Sequence, residues 1–206
     1  MSESRTEIYH ITHISNLKQI LEEGLVCCNG IKNYSNIGNT ELKTGRGSKK
    51  VTIEPKGVLN DYVPFYLGRR SPMLLQIHTG KVPGVNCSQS KIIYLISSVE
   101  SIIKEEKKFV FTDGHALHFG SKFYNFVSDF DKLDWDIIKS SSWSRTDEDF
   151  DRQRKKQAEF LVYKKVEPKL IFGIAVYDEQ MKDTVDEIIS SLNLNLICKV
   201  KKDWYY

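Results

Sequence analysis

This 206-residue chain lacks most of the signatures by which chemistry is read from sequence. It has no G-x-G-x-x-G and no G-x-x-x-x-G-K-[ST], so neither a Rossmann dinucleotide site nor a P-loop is supported. No H-E-x-x-H and no serine nucleophile elbow occur. The four cysteines, Cys27, Cys28, Cys87 and Cys198, form no C-x-x-C, so paired zinc ligands are absent and no metal is expected. Adjacent Cys27-Cys28 is a poor start for a disulfide framework, and a reducing cytoplasm is the expected location. The start, Met1 to Glu7, is polar and carries both charge signs, unlike a signal peptide. No apolar run approaches the roughly 20 residues that cross a bilayer, so no membrane partner is expected. Net charge is only +3, too little to demand a polyanion.

What is present fits one domain over residues 1–206, with 40% hydrophobic and 28% charged residues as in an ordinary globular protein. Basic clusters lie at Arg46 to Lys50, Arg69-Arg70, Lys107-Lys108, Arg152 to Lys156 and Lys199 to Lys202. On a shared face they would suit nucleic acid; scattered, they are solvated surface. Ile8 to Thr12 reads as a strand. A short helix follows, capped by Ser15 or Asn16, with Leu17, Ile20 and Leu21 on one face and Gly24 as its stop. Strands are expected at Val63 to Leu67, Leu74 to His78, Ile92 to Ile96, Phe109 to Phe111, Glu159 to Tyr163, Ile171 to Tyr177 and Leu196 to Val200. Ser97-x-x-Glu100 reads as a capping box before a helix through Val99, Ile102 and Ile103. A further helix carries Met181, Val185, Ile188, Ile189 and Leu192. Two long stretches read as loops, Cys28 to Pro55 and about His115 to Arg154, the latter with helical pieces near Phe123 to Phe130. Loops of that length in a small domain tend to be functional. The class is α+β.

Glu159 is the residue that most needs a reason. It opens an apolar run, Glu159-Phe-Leu-Val-Tyr163, directly after the basic Arg152 to Lys156. A Glu there either faces water or points into a cleft to handle a sugar or a cation. His10 and Thr12 are two apart on the first strand, so they share a face and can hydrogen-bond a ribose diol or a carboxamide. His13 falls on the other face. Leu59-Asn-Asp-Tyr-Val-Pro-Phe-Tyr66 followed by Arg69-Arg-Ser-Pro-Met73 is rigid and aromatic; Tyr66 suits a planar ring, and Ser71 suits a cap.

The motifs YHITHISNL, VLNDYVPFY with RRSPM, FVFTDGH, KKQAEFLVY and KKDWYY, in that order from Ile8 to Tyr206, resemble the DarT family of DNA ADP-ribosyltransferase toxins. The resemblance implies an ADP-ribosyltransferase-like fold, a central split and mostly antiparallel β-sheet flanked by helices and two long functional loops. It implies transfer of ADP-ribose from NAD+ to a base, thymine first, in single-stranded DNA, and a macrodomain antitoxin of the DarG kind as partner. The chain is expected to act as a monomer. Glu159 matches the catalytic Glu, and Arg46 a functional Arg. His10, Ile11, Thr12 and Gln19 match NAD+ contacts, and Tyr66 and Met73 the nicotinamide side. Asn33 to Lys50 would cover NAD+, and His115 to Glu159 would present DNA, with Lys49, His118, Trp143, Arg152 and Arg154 as nucleic-acid contacts. The chain departs from the pattern at Asn60, Arg69 and Gly45.

The chemistry explains the residue types. Breaking the nicotinamide–ribose bond develops positive charge on the sugar, and a carboxylate at the 2′-OH stabilises it. The acceptor base must lose a proton. The family pattern gives that task to Arg46, whose guanidinium is always protonated; Glu159 is the alternative. Single-stranded substrate leaves the base edge accessible, and Trp143, Tyr124 and His118 are candidates to stack on it. Two other readings fit the residues: a transferase acting on protein or RNA ends, and a non-catalytic binder of single-stranded nucleic acid.

Overall fold

The computed structural model describes residues 5–206; Met1 to Ser4, part of the polar start, lie outside the described residues. Strand β1 (Glu7–His13) leads through a short 3-10 turn to helix α1 (Leu17–Glu23). Gly24 then takes φ 93°, a left-handed value that ends the helix and turns the chain into β2 (Leu25–Val26). Next come α2 (Thr40–Ser48), β3 (Tyr62–Tyr66), α3 (Pro72–His78), β4 (Ile92–Ser98), α4 (Val99–Lys104), β5 (Phe109–Thr112) and β6 (Phe123–Tyr124). The second half adds α5 (Trp135–Lys139), α6 (Arg152–Lys155), β7 (Glu159–Tyr163), β8 (Lys165–Val166), β9 (Gly173–Val176), α7 (Glu179–Ser191) and β10 (Ile197–Val200).

Eight strands form one sheet in the order β10-β9-β4-β1-β3-β7-β5-β6, parallel only between β10 and β9. β1 pairs with β4 along its whole length, from Glu7↔Ser98 to His13↔Ile92. With β3 it pairs only at Tyr9↔Tyr66. The sheet therefore opens between β1 and β3, and this is the expected split. Pro64 sits on β3 at the opening. It has no N–H to offer a neighbour, and its carbonyl accepts from His10 Nδ1 at 2.8 Å instead of from a strand.

Apolar residues fill both faces. One core joins Ile8, Phe65, Phe160, Val162 and Ile174 to α1 and α7. A second joins Tyr9, Ile11, Leu74 and Tyr94 to Trp204 and Tyr205, and a third joins Val51, Leu59, Tyr62, Val110 and Leu161. The C-terminal KKDWYY segment is thus part of the core: Tyr94 Oη donates to the Trp204 carbonyl at 3.0 Å, and Arg69 lies 4.2 Å over the Trp204 ring.

Four expectations are corrected. Leu74 to His78 is not a strand but most of α3: Ser71 Oγ accepts from Leu74 N–H at 3.2 Å and Pro72 opens the helix, both start signals that outweigh the apolar run. The stretch from Cys28 to Pro55 is not all loop, because Asn39 caps α2 through Glu41 and Leu42 N–H. The cap of α4 is Ser98, not Ser97, and Glu100 accepts from Thr6 N–H, so there is no capping box. Around Phe123 to Phe130 the chain first adds the edge strand β6 and turns helical only from Val127.

Candidate active site

Glu159 is the first residue of β7, opposite Tyr66 on β3, and only 4% exposed. Such burial demands partners, and it has them. Oε2 accepts from Arg46 Nη1 at 2.8 Å, and Oε1 accepts from Ala116 N–H at 2.9 Å. Its own N–H donates to Thr112 Oγ1 at 3.2 Å. Arg46 comes from α2, 113 positions earlier in sequence. That helix buries no residue and contains Gly45 and Gly47, each unfavourable in a helix by about 1 kcal/mol. Tertiary contacts hold it: Asn60 Nδ2 donates to the Lys43 carbonyl at 3.1 Å.

The two side chains line a cavity of about 580 Å³ at the split of the sheet, a size usual for small-molecule sites. His10, Ile11, Thr12, Gln19, Tyr66 and Met73 line the same cavity, together with Asn16, Ser35 and His115. Burial pushes the His10 imidazole below its ordinary pKa, so the ring is neutral near pH 7. Since a carbonyl can only accept, Nδ1 carries the proton and Nε2 offers a lone pair. Burial holds the Tyr66 phenol protonated, and Glu159 reinforces this. Burial also lowers the His115 pKa, giving a second neutral imidazole beside Glu159 and Arg46. Gln19 Nε2 donates to Glu23 at 3.0 Å. Arg46 Nη2 is buried with no partner, a donor left for an anionic or carbonyl oxygen. The walls therefore suit NAD+: apolar surface for rings, an acceptor and hydroxyls for ribose, a free guanidinium donor for a phosphate or carboxamide.

The five expected nucleic-acid contacts differ in their surroundings. Lys49 ends α2 and is half-buried. His118 is exposed and stacks on Phe119, itself 91% exposed. Trp143 is half-buried, its Nε1 3.4 Å from Tyr206 Oη. Arg152 donates to the Ser142 carbonyl at 3.1 Å. Arg154 is turned inward: Nη1 donates to Asp113 at 2.9 Å and Ser121 at 3.1 Å, while Nε and Nη2 grip Asp151. Lys155 pairs with Asp134 and Asp149. Lys156 is 2% exposed and donates to the Ile138 and Ser140 carbonyls at 2.8 and 2.7 Å. Most of the basic run before Glu159 is thus engaged with the 113–151 region. Tyr124, read as a base stacker, lies against Phe111 with ring centroids 5.3 Å apart.

Sequence reasoning missed Asn16, Ala116 and His115 as parts of the site. The Ala116 contribution is a backbone N–H, which carries no residue signature. His115 was visible as the end of FVFTDGH and the start of the second long loop, with nothing to mark it as a wall of the NAD+ cavity.

Comparison with known proteins places the chain in a family. The family model described as "DarT: ssDNA thymidine ADP-ribosyltransferase, DarT" matches residues 9–206. This chain belongs to the DarT family. A DNA ADP-ribosyl transferase of Escherichia coli O127:H6 is 32% identical over 97% of this chain and 93% of its own length. The Thermus sp. 2.9 DarT solved with ADP-ribosylated ssDNA superposes at TM-score 0.91 with 39% identity, covering 98% of this chain and 96% of that one. The same Thermus protein solved with NAD+ gives TM-score 0.89 at 38% identity over the full length of both chains. A Thermosipho africanus protein named as a transferase–glycohydrolase fusion is 26% identical over 93% of this chain and 47% of its own length. Among the described residues no cluster of metal-ligating side chains occurs, and no helix is long and apolar enough to cross a membrane.

Proposed function

We propose that this chain is a single catalytic domain that transfers ADP-ribose from NAD+ to a thymine base of single-stranded DNA and releases nicotinamide. The observation that carries the reading is Glu159, buried at the split of the sheet and held by Arg46 and Ala116 N–H. The family description and the Thermus DarT complexes with NAD+ and ADP-ribosylated ssDNA support the substrates.

The residues divide the work. His10 Nε2 and the Thr12 hydroxyl engage the ribose, Tyr66 and Met73 flank the nicotinamide, and Arg46 Nη2 binds an oxygen of the co-substrate. Glu159 accepts a hydrogen bond from the ribose 2′-OH and faces the positive charge that grows as the C1′–nicotinamide bond lengthens. That charge exists only on the way to the transition state, so the interaction accelerates the step. Nicotinamide leaves with the bonding electron pair, the base nitrogen bonds to C1′, and the base loses its proton. Arg46 has donors and no lone pair, so it orients Glu159 and Glu159 takes the proton. Preference for single strands follows from the need to expose the Watson–Crick edge.

The protein works as a monomer in the cytoplasm. Its partner is a macrodomain hydrolase of the DarG kind that removes the mark, which would make the pair a toxin and its antitoxin; the fusion relative named for both activities supports that pairing.

The test is incubation with labelled NAD+ and separate pools of single-stranded DNA, duplex DNA, RNA and protein. Label is expected on single-stranded DNA, with mass spectrometry placing it on thymine. Glu159→Ala is expected to lower transfer by about 100-fold or more while the protein stays folded. Label on none of the pools, or an unchanged rate in Glu159→Ala, refutes the reading. Label confined to RNA or protein supports a different acceptor class.

A further inference from the structure

The segment from Ile31 to Asn39 lines the cavity and contains no helix or strand. Lys32 to Asn36 are exposed. Ile37 is its buried anchor, packed in the core that includes Ile11 and Leu74. A second fixed point is Ser35. Asn16, 7% exposed at the start of α1, reaches it with both ends of its carboxamide. Oδ1 accepts from Ser35 N–H at 2.7 Å, and Nδ2 donates to the Ser35 carbonyl at 3.0 Å. Nδ2 also donates to Thr12 Oγ1 at 2.9 Å. Ser15 Oγ lies 2.7 Å from Ser35 Oγ and is itself held by His13 Nδ1 at 2.8 Å.

We infer that Asn16 is a positioning residue for the nicotinamide dinucleotide. It locks the covering segment onto β1 and aims the Thr12 hydroxyl, without reaching the reacting bond. The inference rests on the proposed reaction. Only a carboxamide satisfies the site. Ser35 presents a donor and an acceptor side by side, and an Asn side chain offers one of each in the same plane. A carboxylate would set an acceptor against the Ser35 carbonyl, and an apolar side chain would leave both backbone groups without partners. Because a loop with few anchors loses order when one is cut, the consequence falls on binding of the co-substrate and not on the chemical step.

The test compares Asn16→Leu and Asn16→Asp with the parent protein. Steady-state kinetics on single-stranded DNA should show the NAD+ KM raised by about tenfold or more in Asn16→Leu and less in Asn16→Asp, with kcat changed by less than about threefold. Hydrogen exchange should show the Ser35 amide opened in Asn16→Leu and still protected in Asn16→Asp, where the acceptor remains. A loss of kcat at constant KM, or an unchanged KM in folded variants, overturns the inference. If Asn16→Leu does not fold, Asn16→Asp alone decides: a raised NAD+ KM sustains the inference and an unchanged one overturns it. If the parent protein labels no nucleic acid, the proposed reaction has failed separately. Calorimetric titration with NAD+ then reads the clasp: weaker binding in the variants sustains it, and equal binding overturns it.

Discussion

A carboxylate on the first residue of a strand usually faces water; Glu159 is buried because a guanidinium and a backbone N–H compensate it. Removing Arg46 would leave that charge without its counter-ion, so substitutions at the two positions are coupled and not additive. His10 shows the same logic with the opposite sign. Its neutral form is stabilised by burial, so its pKa in the folded protein lies below the 6.5 of the unfolded chain. The unfolded chain then binds the proton more readily. The stability is fully present above pH 6.5 and is lost as pH falls from there through the folded pKa; His115 adds in the same direction. Urea unfolding at pH 7.5 and 5 is expected to show this decline. In His10→Asn, whose side-chain amide can still donate to the Pro64 carbonyl, the decline should be smaller. An identical decline would show that His10 is not the group responsible. The sharing of a face by His10 and Thr12 was legible from their spacing in a strand. The Arg46–Glu159 bond was not, because 113 positions separate the partners and no local pattern couples them.

At the level of elements, the charge pattern of Arg152 to Lys156 and the structure part company. A run of like charges reads as a solvated or phosphate-facing strip. Here Arg154, Lys155 and Lys156 turn back on Asp113, Asp134, Asp149, Asp151 and the end of α5. The folding-back is tight at Gly68, where an added Cβ would lie 2.0 Å from the Ile138 carbonyl oxygen. Two outcomes are expected. Lys155→Ala should leave the salt dependence of DNA binding unchanged, whereas a true phosphate contact would lower the slope by about one. Lys156→Met should cost about 1–3 kcal/mol, since two buried carbonyls lose a donor. Burial pushes the Lys156 ammonium down to about 8 from 10.5. The parent protein should therefore gain stability relative to Lys156→Met as pH rises from about 8 to 10.5, the interval in which only the unfolded chain still holds the proton. A flat difference across that interval would place the ammonium in solvent. α2 and α3 carried readable caps: Asn39 was hidden in a polar run, while Ser71 was legible as a cap but the apolar run after Pro72 suggested a strand; capping signals are single residues, and periodicity in short elements is ambiguous.

For the molecule as a whole, one sheet joins the first strand, β1, to the last, β10, and the KKDWYY segment closes the second core against β1 and β4. Unfolding of any part exposes the rest. A single calorimetric transition is expected, with van't Hoff and calorimetric enthalpies in agreement and a midpoint that rises with NAD+ concentration. Two resolved transitions would contradict the single catalytic domain.

The order of residues was enough to read the class of fold, most of the sheet strands, the succession of family motifs, and Glu159, His10 and Thr12 as residues in need of a task. Those properties are local: alternation along a strand, turn residues and short contiguous motifs are written within a few positions. The folded chain was needed to separate the cations that face the cavity from those that hold the chain to itself. Folding paired Arg46 with Glu159 and set a backbone N–H on the same carboxylate. It also made Asn16 a clasp. These depend on groups distant in sequence meeting at the split between β1 and β3, and burial there, not residue type, sets which charges must be compensated.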